Sequence, residues 1–245
     1  MVPGFTLNGQ HCSVLGIIME SKTLPILTKS KDVYIDIPGR DGSYLFKGAL
    51  SDAVIPILCG IKTANAIALM AAKRQIAAWV FSKEKVRLIF DDEPDKFYLV
   101  KYDGEIGLEK MTAQGMGKFT LIFRCEPFAY DDQVIANFVA DTVTVTNAGT
   151  AETEPYFQTT FTATCTEWKI TLGTDYCRVV HAFGVGDVLT MDFATGAVLL
   201  NGVRAMNLLD WQNSRFFTLP VGVSTLTVTP AGKSATLIKY TPKWR

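Results

Sequence analysis

The chain has 245 residues, 48% of them hydrophobic and 20% charged, with 24 basic side chains against 24 acidic ones. That length buries either one large β domain or two ordinary ones, and the composition excludes a disordered chain. A net charge of zero excludes a broad basic surface for tight nucleic-acid binding, because neutralising phosphates needs an excess of Lys and Arg.

The first residues, "MVPGFTLNGQ", carry neither the positive start nor the apolar core of a signal peptide. No uncharged run reaches the roughly 18 residues of a membrane helix. The expectation is a soluble protein made in the cytoplasm, without a membrane. His11 adjoins Cys12, and on a shared strand the two would point to opposite sides. With His181 as the only other histidine, a metal cluster would need further ligands to converge, so no metal and no cofactor are expected. The five cysteines (Cys12, Cys59, Cys125, Cys165, Cys177) are odd in number, scattered and free of CxxC pairs, which reads as buried free thiols.

The segment "TANAIALMAAKRQIAAWVF", residues 63 to 81, is rich in Ala and free of Gly and Pro. Leu69, Ala72, Ile76 and Trp79 fall on one stripe, predicting a helix packed on a sheet. Next, "FDDEPDKFYL" sets Asp91, Asp92, Glu93 and Asp95 between two strand-like runs, 86–90 and 97–102. A hairpin loop accounts for every residue there, with Pro94 at the second position of a type I turn. The ligand spacing of a calcium loop is missing, and a subunit contact stays open as an alternative. In "KFTLIFRCE", Phe119, Leu121, Phe123 and Cys125 share one face, the pattern of a half-buried strand.

After "EPFAYDD" the composition shifts toward Thr, with turn residues at short intervals, and a domain boundary is expected between residues 134 and 135. The runs 188–193 and 198–203 around "ATGA" predict a hairpin, and short strands without a second helix predict a β-sandwich or jelly roll over 135–245. "AGKSA" at 231–235 imitates a phosphate-binding loop, but Thr227 stands where the motif needs Gly and a strand-like run follows. No Gly-x-Ser-x-Gly elbow occurs, and the serine of "NSRFF" has no suitable neighbouring base. Trp168 and Trp211 have two readings, stacking on a sugar or packing in a sandwich core.

Taken in order, "GFTLNGQHCSVLGIIM", "IPGRDGSY", the Ala-rich helix ending "AAWV", "LIFDDEPDKFYLV" and "FTLIFRCEPFAY" resemble the distal tail (Dit) proteins of long, non-contractile-tailed bacteriophages and prophages. "GDVLTMDFATGAVLLNG" and "RFFTLPVGVSTLTV" extend the resemblance to that family's galectin-like C-terminal domain. The resemblance implies a mainly β fold: a ring-forming, sandwich-like N-terminal domain with one helix (1–134), then a galectin-like jelly roll (135–245). It implies a virion structural protein rather than an enzyme, made in the host cytoplasm and located at the distal tail tip. Its partners would be five further copies in a hexameric ring, the major tail tube protein, the tail-associated lysin of the tip, and receptor-binding or baseplate proteins. DNA and the tape-measure protein would pass the lumen without specific binding, consistent with the lack of net positive charge. A sugar-binding adhesion module acting through Trp168 and Trp211 is the alternative.

Overall fold

The computed structural model describes residues 4–107, 109–110 and 115–245. Residues 1–3, part of the stretch read for a signal peptide, lie outside the described residues. Contacts divide the chain into two compact units, residues 1–130 with Arg245 and residues 131–244. The chain is mainly β, with one α-helix among the described residues.

In the first unit, strands β1 (Phe5–Leu7), β2 (Gln10–His11), β3 (Ile17–Lys22), β4 (Val33–Asp36), β5 (Ser43–Phe46) and β6 (Ala53–Lys62) precede helix α1 (Ala66–Val80). Strands β7 (Val86–Phe90), β8 (Glu93–Tyr102), β9 (Glu109–Lys110) and β10 (Met116–Tyr130) follow it. One antiparallel sheet runs in the order β2-β1-β7-β8-β10-β6-β3, with β9 on β10, while among the described residues β4 and β5 pair only with each other. The sandwich-like arrangement thus takes the form of one continuous sheet closed by the helix.

Alternation explains which face is buried. Register places Phe119, Leu121, Phe123 and Cys125 of β10 opposite Cys59, Ile57, Ile55 and Ala53 of β6. Opposed residues of an antiparallel pair share a face, so these eight form one apolar patch, and all are buried. Helix α1 covers the core with Leu69, Ile76 and Val80 buried and Ala72 and Trp79 packed at its margin. Trp79 stacks on Phe5, ring centroids 5.7 Å apart. The helix starts where the Asn65 side chain accepts the Ala68 N–H at 2.9 Å, three residues inside the expected 63–81 span.

The second unit contains β11 (Val134–Asn137), β12 (Thr142–Asn147), β13 (Tyr156–Phe161), β14 (Cys165–Leu172) and β15 (Asp175–Phe183). It continues with β16 (Val188–Asp192), β17 (Ala197–Leu200), β18 (Val203–Arg204), β19 (Gly222–Thr229) and β20 (Ser234–Tyr240). Two sheets, β11-β20-β13-β16-β17-β18 and β12-β19-β14-β15, enclose a core of Phe157, Phe161, Trp168, Ile170, Phe183, Met191 and Ile238. Phe161 and Phe183 stack at 4.0 Å. The unit begins a few residues ahead of the expected start at 135, because Val134 already pairs with Tyr240 across β11 and β20. The Asp192-to-Ala197 connection is the expected hairpin, with Gly196 at positive φ.

Candidate assembly surface

No residue of β4 or β5 belongs to the buried core of the first unit. Val33 pairs with Phe46 and Ile35 with Tyr44, so these four side chains share one face, and Ile37 follows just beyond the end of β4. All five are exposed, Phe46 by 58%. The opposite face shows Tyr34 and Leu45, then a polar pair in which the Ser43 hydroxyl donates to Asp36 at 2.5 Å. Two-stranded hairpins are marginal in water, and contiguous exposed apolar surface marks an interaction site.

The hairpin is held at its stem. Lys31 N–H donates to Ala49 O and Ser51 N–H to Lys29 O, both at 2.8 Å. Asp32 accepts from the Ser30 hydroxyl at 2.5 Å and from Gly48 N–H at 2.7 Å. Those two bonds, the hydroxyl first, hold its carboxyl below the ordinary 3.8. Gly48 is required by close approach, since a Cβ there would lie 2.0 Å from Lys31 O. The sequence signal for this arm was the pair of branched and aromatic runs "VYID" and "SYLF" flanking "PGRDG". Their period cannot say that neither face meets a core.

The acidic stretch forms the turn between β7 and β8. Phe90 pairs with Glu93, so the loop is Asp91–Asp92 and Pro94 lies inside β8, not at the second turn position expected. The reason is tertiary. Asp91 Oδ2 accepts Gly4 N–H at 2.9 Å and lies 3.2 Å from His11 Nε2, while Asp92 accepts from Lys22 Nζ at 2.5 Å. Lys22 also sits 3.8 Å above the Phe90 ring. Glu93 accepts from the Tyr98 hydroxyl at 3.3 Å and Asp95 from Lys96 at 2.7 Å. Every carboxylate of the stretch therefore has a protein partner.

His11, 80 positions from Asp91, is the residue that sequence spacing missed. Its Nδ1 lies 2.6 Å from Ser13 Oγ and accepts Ser13 N–H at 3.3 Å, so the ring caps the short 3-10 turn Cys12–Leu15. Ser13, His11 and Asp91 thus follow the order of a hydrolytic triad, but the bonds are those of a cap. Among the described residues, no group of three or more His, Cys, Asp and Glu could hold a metal ion, and no helix is long and apolar enough to cross a membrane.

The two tryptophans part company. Trp168 is 1% exposed inside the sandwich core, so neither of its faces is open to a sugar; an alternating strand buries every second residue, and β14 turns Trp168 inward beside Ile170. Trp211 is 61% exposed. His181 lies edge-on to Phe183 at 5.2 Å. All five cysteines are free. Burial pushes Cys59 and Cys177 up to about 12 and Cys125 up to about 11.

Comparison with known proteins follows the same division of the chain. Residues 10–125 match a phage tail protein RIFT-related domain, and residues 148–244 match the C-terminal domain of a siphovirus-type tail component. The distal tail protein of Bacillus phage SPP1 is 31% identical over 136 residues, 51% of this chain and 53% of that protein. The match spans about half the length of that relative. The crystal structure of SPP1 Dit, described as a paradigm of the hub adsorption apparatus in phages infecting Gram-positive hosts, superposes with a TM-score of 0.83 at 20% identity over 100% of both chains. A chain of the phage P2 baseplate in its activated, calcium-containing conformation gives 0.51 at 10% identity over 98% of both. At these identities the two structures establish the shared fold.

Proposed function

The chain belongs to the siphovirus-type distal tail protein family, and from that premise we propose that it assembles into a closed ring, six copies strong, as the hub of a phage tail tip. The observation that carries this reading is the exposed apolar face of Val33, Ile35, Tyr44 and Phe46 on the hairpin. A head-to-tail ring joins one surface patch to a different patch on the next copy, and a projecting arm supplies the first of these. The hairpin edge also carries unpaired backbone groups, which a neighbour's strand can satisfy. The ring would join the tail tube above to tip, baseplate and receptor-binding proteins below, with DNA and the tape-measure protein passing through its lumen. Its work is structural, with no catalytic step.

The test is the solution mass of the purified chain by light scattering across a broad concentration range, with negative-stain images of any large species. Six-fold rings with a central hole are expected. A strict monomer at all concentrations would overturn the proposal.

A further inference from the structure

Apart from ring closure, we propose that the outer face of α1 is a docking site for an acidic amphipathic helix of a different protein. Leu69, Ile76 and Val80 turn toward the core, and the opposite side of the same helix is largely apolar as well. Ile67, Ala71, Arg74 and Ala78 step along α1 by four, three and four residues, and Met70 stands four before Arg74, so the five share one stripe. All five are exposed, Ile67 by 83%. Phe81 follows at the C-cap, exposed by 74%. A surface helix ordinarily turns polar residues away from its core, and a helix apolar on both sides is one that a second layer covers.

Charge selects the occupant. Helix α1 contains Lys73 and Arg74 and no acidic residue, and neither cation has an acidic partner among the described residues. Arg74 stands inside the apolar stripe, with Met70 one turn before it and Ala78 one turn after. A partner that covers the stripe therefore dries the guanidinium, which is strongly unfavourable unless a carboxylate comes with it. A carboxylate meets the guanidinium fork with two charge-assisted bonds, so the occupant is apolar with an acid near its middle. A second copy of α1 does not fit, since it would set Lys and Arg against Lys and Arg. Nor does a membrane surface, because an interfacial helix keeps its cations on the polar face and not in the middle of the apolar one.

Shape selects a helix over an extended peptide. Met70, Arg74 and Ala78 form one row at four-residue spacing and Ile67 and Ala71 a second, the ridges between which another helix packs. The small Ala71 and Ala78 let the two axes approach to about 8–10 Å, while Ile67 and Met70 supply apolar contact. From Ile67 to Ala78 the stripe rises about 16 Å, a length that a partner of roughly three to four turns covers.

The experiment titrates the full chain into a fluorescent, lactam-stapled peptide of about 14 residues with Leu at its a and d positions and Glu at e and g, and into a twin with Lys in place of Glu. Anisotropy is expected to show the Glu peptide binding about tenfold more tightly than the Lys peptide. Arg74→Glu should reverse that order, and Ile67→Ser should weaken the Glu peptide about fivefold while keeping the order. Vesicles of phosphatidylglycerol and phosphatidylcholine should leave the chain unbound. No binding of either peptide, a preference below twofold, a preference unchanged in Arg74→Glu, or vesicle binding that this variant abolishes would overturn the proposal. A changed solution mass in Arg74→Glu would also overturn it, by assigning the face to contact between copies. The melting midpoint separates lost docking from a lost fold. Mass reads ring closure and anisotropy reads docking, so the two proposals fail by different measurements.

Discussion

Replacing Ile35 and Phe46 together with Ser removes the middle of the hairpin's apolar face while leaving its stem intact. Fully burying a large apolar side chain is worth about 1.5–3 kcal/mol, and roughly half of each of these two is exposed in the single chain, so covering the remainder supplies about 0.75–1.5 kcal/mol each. The double variant then loses about 1.5–3 kcal/mol per subunit contact, a weakening of about 12- to 150-fold. Sedimentation velocity across a dilution series reads this as a shift of the assembly midpoint. Neither side chain belongs to a core, so the melting midpoint of the single chain should stay put. Ile67→Ser, on the exposed face of α1, is the matched control and should leave assembly unchanged. Equal assembly of the double variant and the unaltered chain would refute the argument, as would an equal loss in the control.

Asp32, whose carboxyl is lowered first by the Ser30 hydroxyl and then by Gly48 N–H, stabilises the stem fully above 3.8 and loses that contribution as pH falls through its lowered native value. Amide exchange over residues 29–32 and 47–51 should therefore accelerate, relative to β10, on acidification below 3.8. Gly48→Ala drives a methyl group into Lys31 O, and should raise exchange in the same residues at neutral pH without changing the helix signal in circular dichroism. Asp91→Ala strands the Gly4 N–H and frees His11; urea unfolding of the first unit should shift by about 1–2 kcal/mol, and no shift would show that water replaces both bonds. Burial keeps Cys12, Cys59, Cys125 and Cys177 protonated, so Ellman's reagent at about pH 8 should find at most half-buried Cys165 quickly in the native chain and all five thiols in denaturant.

Local pattern was enough wherever one face of an element meets a core. The stripe of α1, the alternation of Phe119, Leu121, Phe123 and Cys125, and the Thr- and Val-rich strands of the second half were legible because burial imposes a period of 3.6 or 2 on apolar residues. The hairpin around residues 193–196 was legible for the same reason, with Gly196 adding its own turn chemistry. Partnerships across long stretches of chain were decided by the tertiary structure alone. Nothing near His11 announces Asp91, and nothing near Pro94 says that Gly4, His11 and Lys22 will fix the acidic loop at two residues. Trp168 and Trp211 have equally plain neighbours in the sequence, yet one lines the core and the other faces water, because exposure depends on what the sheet turns inward. The arm of Val33–Asp36 and Ser43–Phe46 reads as an ordinary strand pair, and what distinguishes it is the exposure of both its faces among the described residues. Periodicity records that a residue prefers a dry neighbour; which atoms supply that neighbour, in the same chain or another, is a property of the assembled surfaces.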